Sequence, residues 1–125
     1  MNESQPSKEA AIRFLQLAAA GRVDEAFTLV APGFRHHNPY FAGTASALQA
    51  GMRENAHQNP DKSFEVQRAL ADGPLVAVHS RVHMPRTGMT LSVVHLFRFE
   101  GEQIVELWDV GQPQPADMIN PEGMF

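Results

Sequence analysis

The chain has 125 residues, of which 43% are hydrophobic and 19% charged, and it contains no cysteine. We expect a single domain over residues 1–125, because two separate cores in so short a chain would each be too small. The lack of cysteine excludes disulfides, thiolate metal sites and cysteine nucleophiles. The net charge is −4 and the cations are scattered along the chain, so we expect no nucleic-acid partner.

The N-terminal segment MNESQPSKEAA lacks the apolar core that follows the basic start of a secretory signal. No run of residues approaches the roughly 18 apolar positions that a membrane span needs. We therefore expect a cytoplasmic protein with no membrane partner. The six histidines are the unusual feature of the composition, since imidazole titrates near neutral pH and serves in both acid–base catalysis and metal binding.

Helical spacing of apolar residues predicts three helices in the first half of the chain. The first runs from an N-cap at Ser7 towards Gly21, and a shorter second helix follows and ends at the breaker Ala31-Pro32-Gly33. Residues 34–41 are interpreted as a short strand or an extended loop. The third helix begins near Thr44 or Ser46 and stops at Asn59-Pro60.

The second half of the chain changes to the two-residue alternation of β-strands. Turn-forming residues divide it into four consecutive strands, at residues 64–70, 75–84, 91–99 and 103–110. Short turns between consecutive strands predict an antiparallel meander, and helices followed by strands are typical of an α+β fold. Both faces of the meander carry apolar residues, so we expect the outer face to contact a second copy in a homodimer. The proline-rich tail is expected to be extended along the surface or over a cavity mouth.

The strongest local feature spans the last two predicted strands. It reads His-x-Phe-Arg-Phe, a glycine turn, then Ile-x-Glu-x-Trp-Asp, formed by His95, Phe97, Arg98, Phe99, Gly101, Ile104, Glu106, Trp108 and Asp109. With this pattern, with His37-Asn38-Pro39 and with the ending at residues 120–125, the chain resembles the SnoaL-like family of the nuclear transport factor two-like superfamily. The superfamily has the polyketide cyclase and ketosteroid isomerase type of fold.

The resemblance implies a cone-shaped α+β fold, in which a curved antiparallel sheet and about three N-terminal helices enclose a pocket. Members often dimerise through the outer face of the sheet. Characterised SnoaL-type relatives are polyketide cyclases that close a ring by intramolecular aldol condensation without a cofactor, using an Asp on the last strand near a His. Asp109 matches that Asp, and His95 is a reasonable match for the His. Ketosteroid isomerases use a Tyr with acidic residues, but Tyr40 matches no such motif.

We hypothesise that Asp109 is a general base and His95 its partner, acting on a small hydrophobic carbonyl compound. Abstraction of a proton next to a carbonyl needs a base with a pKa near the working pH, and an apolar pocket raises the pKa of a carboxylate. A neighbouring imidazole could hold the carboxylate or donate to the enolate oxygen. The candidate substrate-binding residues are His37, Asn38, Tyr40, His79, Phe97 and Trp108.

Structural interpretations of the same residues stay open at this point. Asp109 could accept a hydrogen bond from Arg35, Arg68 or a backbone amide, and His95 could be a satisfied buried histidine. The protein would then be a module of the same fold that binds a small ligand or another protein without catalysis. Pocket polarity separates these hypotheses, because an Asp tied to an Arg favours binding or structure.

Metal binding is the natural alternative for a histidine-rich chain. His79 and His83 are four residues apart, which on a strand is about 13 Å and too far for one ion. Three histidines from different strands could still converge. No metal-binding, phosphate-binding or dinucleotide motif is present, so we expect no metal and no cofactor.

The hairpin that turns near Gly101 and Glu102 fixes a further expectation. It places His95 opposite either Asp109 or Val110, and alternation puts Asp109 and Trp108 on different faces of the last strand. The same alternation groups Gln103, Val105, Leu107 and Asp109 on one face, with Ile104, Glu106, Trp108 and Val110 on the other. We therefore predict that Asp109 and His95 point into one cavity and that Trp108 faces away from it.

Overall fold

The computed structural model describes residues 5–125. Residues 1–4, which belong to the segment interpreted as lacking a targeting signal, lie outside the described residues. The helices are α1 (Gln5–Ala19), α2 (Val23–Ala26) and α3 (Ala45–Gln58), with a 3-10 turn at Phe27–Leu29. The strands are β1 (Val30–His36), β2 (Ser63–Asp72), β3 (Leu75–Met84), β4 (Met89–Glu100) and β5 (Gln103–Pro113).

The five strands form one sheet in the order β1-β5-β4-β3-β2. Strands β2 to β5 are the predicted antiparallel meander, and β1 is added at the edge parallel to β5. These elements confirm the predicted α+β fold, in which a curved, mostly antiparallel sheet and the helices enclose a pocket. The parallel pairing of β1 was not predicted, because it joins segments that are some seventy residues apart in the chain.

The second predicted helix is wrong at its C-terminal end. It stops at Ala26, and Val30 already belongs to β1, where it pairs with Ile104. The segment Ala31-Pro32-Gly33, which was predicted to end the helix, instead lies inside the edge strand β1. Pro32 is tolerated at an edge, and Gly33 adopts a φ of 79° where the pairing register shifts between Val30 and Arg35. Pairing with β5 thus outweighs the local helical periodicity.

The core lies between the helices and the inner face of the sheet. Phe14 of α1 is fully buried and meets Phe97 of β4 edge to face, with ring centroids 5.9 Å apart. Phe27 and Phe34 extend this aromatic contact towards β1. Other buried members of the cluster are Ala11, Leu15, Leu17, Ala18, Ala26, Leu48, Val76, Val78, Phe99, Ile104 and Leu107. The packing fixes α1 against the sheet and so forms one wall of the pocket.

Helix α3 begins at Thr44, one of the two predicted start positions. The Thr44 side chain is the N-cap and accepts a hydrogen bond from the backbone N–H of Ala47 at 3.2 Å. At the other end, the backbone N–H of Asn59 donates to the Asn55 carbonyl. A tight turn then leads to Lys62 and β2, which brings this end of α3 to the edge of the sheet.

The outer face of the sheet carries exposed apolar side chains. Leu70 is 67% exposed, and Leu75, Leu96 and Val110 are also exposed. The C-terminal tail returns to this face, where the Phe125 ring stacks on His79 and lies under the guanidinium of Arg81. The tail therefore follows the outer sheet surface, one of the two courses that its sequence left open. Among residues 5–125, no helix is both long and apolar enough to cross a bilayer.

Replacement of Phe14 tests the core. We expect Phe14→Ala to lower the free energy of unfolding by about 3–5 kcal/mol, because the ring is fully buried against Phe97 and its loss leaves a cavity. Leu70→Ala, at an exposed position of the outer face, should change it by less than about 0.5 kcal/mol. Urea unfolding followed by circular dichroism measures both values. Equal effects of the two substitutions would contradict this assignment of the core.

Candidate functional site

A cavity of about 260 Å³ lies between the inner face of the sheet and helices α1 and α3. Its lining among residues 5–125 is mostly apolar, and the polar groups come from Asn38, Asn55, Lys62, His95 and Asp109. Ligand pockets usually measure roughly 300–1,000 Å³, so this one suits a small, largely hydrophobic molecule. Few polar groups in an apolar cavity are also what orient a ligand and specify its chemistry.

His95 and Asp109 stand opposite each other on the sheet wall of this cavity. They are paired across β4 and β5, so the first of the two registers expected from the hairpin is confirmed. Directly opposite side chains in an antiparallel pair lie about 4.5–5.5 Å apart at their Cβ atoms. Both residues line the cavity, while Trp108 is on the other face. An imidazole and a carboxylate therefore share one apolar surface.

A β-bulge in β5 corrects the predicted alternation near the hairpin. Arg98 pairs with Glu106 and Phe99 with Ile104, so Val105 is the extra residue. Ile104 consequently turns to the inner face and is fully buried, although strict alternation put it with Trp108. Beyond the bulge the predicted alternation holds. The bulge therefore allows Ile104 and Asp109 to face the same side of the sheet.

The imidazole of His95 lies between the rings of Phe64 and Phe97, at centroid distances of 6.2 and 6.3 Å. Burial lowers the pKa of His95 to about 4, and the nearby charge of Asp109 only partly opposes this shift. The ring is therefore neutral at physiological pH. Its Nδ1 atom is buried without a hydrogen-bond partner among the described residues. A proton on Nδ1 would be a buried donor without an acceptor, which native proteins rarely contain, so we assign the proton to Nε2.

The Asp109 carboxylate is half-buried and held by an amide. Its Oδ2 atom accepts a hydrogen bond from Nδ2 of Asn38 at 2.9 Å. The two arginines considered as partners lie elsewhere, since Arg35 pairs with Glu106 at 3.7 Å and Arg68 contacts His79. The interpretation of Asp109 as half of an Arg–Asp pair is therefore wrong. A neutral donor orients the carboxylate and leaves its charge unpaired.

Asn38 is in turn fixed by a clamp on the outer face of β5, formed by His37, Glu106 and Trp108. His37 lies 2.6 Å from Glu106 through its Nε2 atom and stacks on Trp108, with ring centroids 5.0 Å apart. Its backbone N–H donates to the Leu107 carbonyl at 2.9 Å. The next residue, Asn38, lines the cavity on the other side of the sheet. The clamp thus positions the amide that holds Asp109.

Two of the predicted substrate-binding residues belong to this clamp instead of the cavity. His37 and Trp108 stack on each other outside the sheet, because strand alternation turns Trp108 away from Asp109. His79 is also on the outer face, where Ser92, Arg68 and Phe125 surround its ring. The expectation that these three residues line the pocket is therefore corrected.

The remaining predicted binding residues divide between core, surface and cavity. Phe97 is fully buried, contacts the ring of His95 and packs against Phe14, so it supports the site from behind. Tyr40 is 85% exposed in the turn after Pro39, and its backbone N–H donates to Oδ1 of Asn38. Neither residue lines the cavity. Asn38 is the one member of the predicted binding set that does.

Sequence reasoning missed Lys62 and Asn55. Lys62 precedes β2, and its Nζ donates to Oδ1 of Asn55 at 2.6 Å. Both line the cavity. A signal for Asn55 was present, because it follows Leu48 and Met52 at helical spacing on the face of α3 that covers the pocket. Lys62 had no such signal, since its direction depends on the turn between α3 and β2.

Within residues 5–125, the structure contains no cluster of three or more His, Asp or Glu side chains arranged to hold a metal ion. The histidines considered as metal ligands have other neighbours. His79 contacts Ser92 at 2.8 Å and His83 contacts Thr90 at 2.8 Å. The expectation that the protein needs no metal stays a prediction.

The profile of the SnoaL-like domain matches residues 11–107, which is most of the chain. The chain belongs to this family. The match runs from within α1 to the first half of β5, so it includes His37, His95 and Glu106 and ends before Trp108 and Asp109. The resemblance suggested by the motifs of β4 and β5 is therefore confirmed at the level of family and fold.

Solved structures with the same fold share little sequence with this chain. A SnoaL-like protein of unknown function from Burkholderia thailandensis has 19% identity and a TM-score of 0.73, covering 90% of this chain and 98% of its own. A candidate polyketide cyclase from Acidithiobacillus ferrooxidans has 18% identity and a TM-score of 0.71, with 90% and 92% covered. A candidate hydroxylase, AclR from Streptomyces galilaeus, has 19% identity and a TM-score of 0.73, with 84% and 87% covered. A search of curated proteins finds no significant match.

The lowered pKa of His95 predicts a dependence of stability on pH. The unfolded chain binds a proton at His95 near pH 6.5 and the folded chain only near pH 4, so stability is complete above pH 6.5 and is lost as pH falls towards 4. The loss should amount to about 3 kcal/mol. Urea unfolding between pH 4 and 7 measures it, and the imidazole resonances in NMR titration report the pKa directly.

Two variants test this assignment. His95→Phe should remove this part of the pH dependence, whereas His57→Gln, which replaces an exposed imidazole on α3, should leave it in place. A His95 resonance that titrates near pH 6.5 would contradict the proposed burial of the neutral ring.

Proposed function

We propose that the protein is a cofactor-independent lyase, isomerase or cyclase that acts on a small hydrophobic carbonyl compound through an enolate. The observation that carries this proposal is the pairing of His95 with Asp109 on the wall of a mostly apolar cavity. The carboxylate is oriented by Asn38 and is not neutralised by an arginine. A charged base and a neutral donor are thus available to the same ligand.

In the proposed reaction, Asp109 removes a proton from the carbon next to the substrate carbonyl. The electron pair of that C–H bond forms the enolate, and negative charge moves to the carbonyl oxygen. Oδ2 is engaged by Asn38, so Oδ1 is the atom that takes the proton. The enolate carbon then attacks a second carbonyl of the substrate, which closes a ring, and the alkoxide formed takes the proton back from Asp109. In a substrate with a C=C bond beside the reacting carbon, the dienolate instead takes the proton back from Asp109 at its far carbon, which moves the double bond.

The neutral state of His95 is important for this division of roles. An imidazolium beside Asp109 would form an ion pair and weaken the carboxylate as a base. Burial keeps the pKa of His95 near 4, so the ring donates a hydrogen bond without a charge. A single donor aimed at a developing oxyanion contributes roughly 3–4 kcal/mol to transition-state stabilisation. We assign this role to His95 Nε2–H.

Family membership gives further support, because the SnoaL-like fold is shared with a candidate polyketide cyclase and a candidate hydroxylase. The fold by itself does not determine the reaction. A second candidate function is a non-catalytic module that binds a small hydrophobic ligand. It is favoured by the small cavity with its mostly apolar lining. Turnover separates the two functions, since both require binding in the same cavity.

Exchange of protons next to a carbonyl tests the proposed chemistry without knowledge of the natural substrate. We expect the protein to accelerate hydrogen–deuterium exchange in small ketones such as 2-tetralone and in 1,3-diketones, measured by ¹H NMR in D₂O. Asp109→Asn should lower the exchange rate roughly a hundredfold or more, because general-base catalysis contributes that much. His95→Phe should also lower it, through loss of the donor to the enolate.

Asp117→Asn is the matched control for this experiment. It makes the same chemical change at an exposed position of the tail and should leave exchange unchanged. Saturable binding of these ketones without any exchange would favour the binding module over the enzyme. Full exchange activity in a folded Asp109→Asn protein would remove the proposed base.

We also propose that the protein is a homodimer through the outer face of the sheet. Support comes from Leu70, Leu75, Leu96 and Val110, which are exposed large apolar side chains of the outer-face strands. Burial of such a surface between two copies stabilises a dimer. The proposed ligand is small enough to lie within one protomer, so dimerisation would support the sheet without completing the cavity.

Light scattering at micromolar concentration should give twice the chain mass of 13.8 kDa. Leu96→Glu should shift the protein towards a monomer, because it places a charge in the middle of the proposed interface. Ile119→Glu adds the same charge in the exposed tail and should leave the mass unchanged. A wild-type monomer at all concentrations would contradict the proposal.

A further inference from the structure

We propose that Lys62 is an anion-binding group at the end of the cavity away from His95 and Asp109. A ligand that fits this group is a hydrophobic molecule with an anionic end such as a carboxylate. Where the inference names a substrate, an anionic carbonyl compound, it rests on the proposed function. The binding of the carboxylate itself does not require catalysis.

The first argument is the set of contacts that Lys62 makes. Its backbone N–H donates to the Asn59 carbonyl at 3.1 Å, which fixes the turn between α3 and β2. Its side chain extends to Asn55, where Nζ donates to Oδ1 at 2.6 Å. An ammonium group has three donors, and Asn55 takes one of them. The other two are available to a ligand in the cavity that both residues line.

The second argument is charge. Within the described part of the chain Lys62 forms no ion pair, and the carboxylate in the cavity lining is Asp109. Burial lowers the pKa of Lys62, which means that the apolar surroundings penalise its charge. A partly buried cation without a counter-ion is costly to the folded protein. An anionic group of a ligand would compensate that cost.

The third argument is the distance between the two charges. Lys62 precedes Ser63, which pairs with His83, and His83 pairs with Thr90 of β4. His95 lies five residues farther along β4, which corresponds to about 16 Å between backbone positions along the strand. The backbone of Lys62 and that of the His95–Asp109 pair are therefore well separated along the sheet, and the lining residues Leu91 and Val93 lie between them on β4. A carboxylate held by Lys62 avoids repulsion by Asp109 while the rest of the molecule extends towards the base.

Two probes of the same shape test this inference. 4-Phenylbutanoate and 4-phenylbutanamide differ in charge and have nearly the same size. We expect the wild-type protein to bind the carboxylate roughly ten- to a hundredfold more tightly than the amide, as measured by calorimetric titration at pH 7. Lys62→Gln should abolish this preference while affinity for the amide stays within about twofold. Lys62→Arg should preserve it, because the charge is retained.

The other lysine of the chain, Lys8, provides the control. Lys8 lies on α1 and does not line the cavity, so Lys8→Gln should keep the full preference for the carboxylate. A measurement on the wild-type sequence avoids any effect of substitution on folding. After reductive ¹³C-dimethylation, the Lys62 methyl resonance should shift with 4-phenylbutanoate and not with the amide, and the Lys8 resonance should be unaffected.

Equal affinity for the two probes, or a preference that survives in Lys62→Gln, would overturn the inference. Asp109→Asn separates this result from the proposed function. That variant should lose proton exchange and retain the preference for the carboxylate. If Lys62→Gln loses the preference for the carboxylate and Asp109→Asn loses proton exchange, the results support both the anion site and the proposed function. Absence of the preference in the wild type, with exchange still dependent on Asp109, rejects the anion site alone.

Discussion

The site depends on a one-residue change of phase in the β4–β5 ladder. Ile104 belongs to the core and Asp109 to the cavity, and both lie on the inner face of β5. Residues five apart on a regular strand face opposite sides, so an unbroken strand could not satisfy both. The bulge at Val105 resolves this conflict. Without it, burial of Ile104 would turn Asp109 to the outer face and bring Trp108 into the cavity.

The two faces of the sheet are connected through adjacent residues of one loop. His37 is held outside by Glu106 and Trp108, and Asn38 reaches through to Asp109 inside. Hydrogen bonds from His37 and Arg98 hold the pKa of Glu106 below its usual range, so its carboxylate stays charged and the clamp stays closed at neutral pH. Residues on the outer face of the sheet thus help to set the position of Asp109. Glu106 and Trp108 of the β5 pattern act in this way, and neither of them lines the cavity.

Local patterns were sufficient for most of the fold and for two residues of the candidate site. Alternation and the turn at Asp72-Gly73-Pro74 predicted the meander, and hairpin geometry limited the partner of His95 to Asp109 or Val110, of which the structure has Asp109. Two of the failures involve partners distant in sequence, and the third is a bulge within the β4–β5 hairpin, which a two-residue alternation does not reveal. The segment predicted as the end of the second helix belongs to β1, because it pairs with β5. Ile104 lies on the inner face and not on the predicted outer face, because of the bulge. The role of Lys62 depends on how α3 meets the sheet, which no period in the sequence encodes.

The polar groups of the cavity share a property that bears on function. His95 has an unpaired buried nitrogen, Lys62 has donors without an acceptor among the described residues, and Asp109 has a charge without a cation beside it. Apolar residues of similar size at these positions would avoid the cost of desolvation. A ligand anion would offset the cost of the Lys62 charge, and a ligand carbonyl would accept a hydrogen bond from Nε2–H of His95. These unpaired groups lower the stability of the free protein, but they also make it selective for such a ligand. An uncharged hydrophobic molecule would leave the same groups unpaired and would bind more weakly.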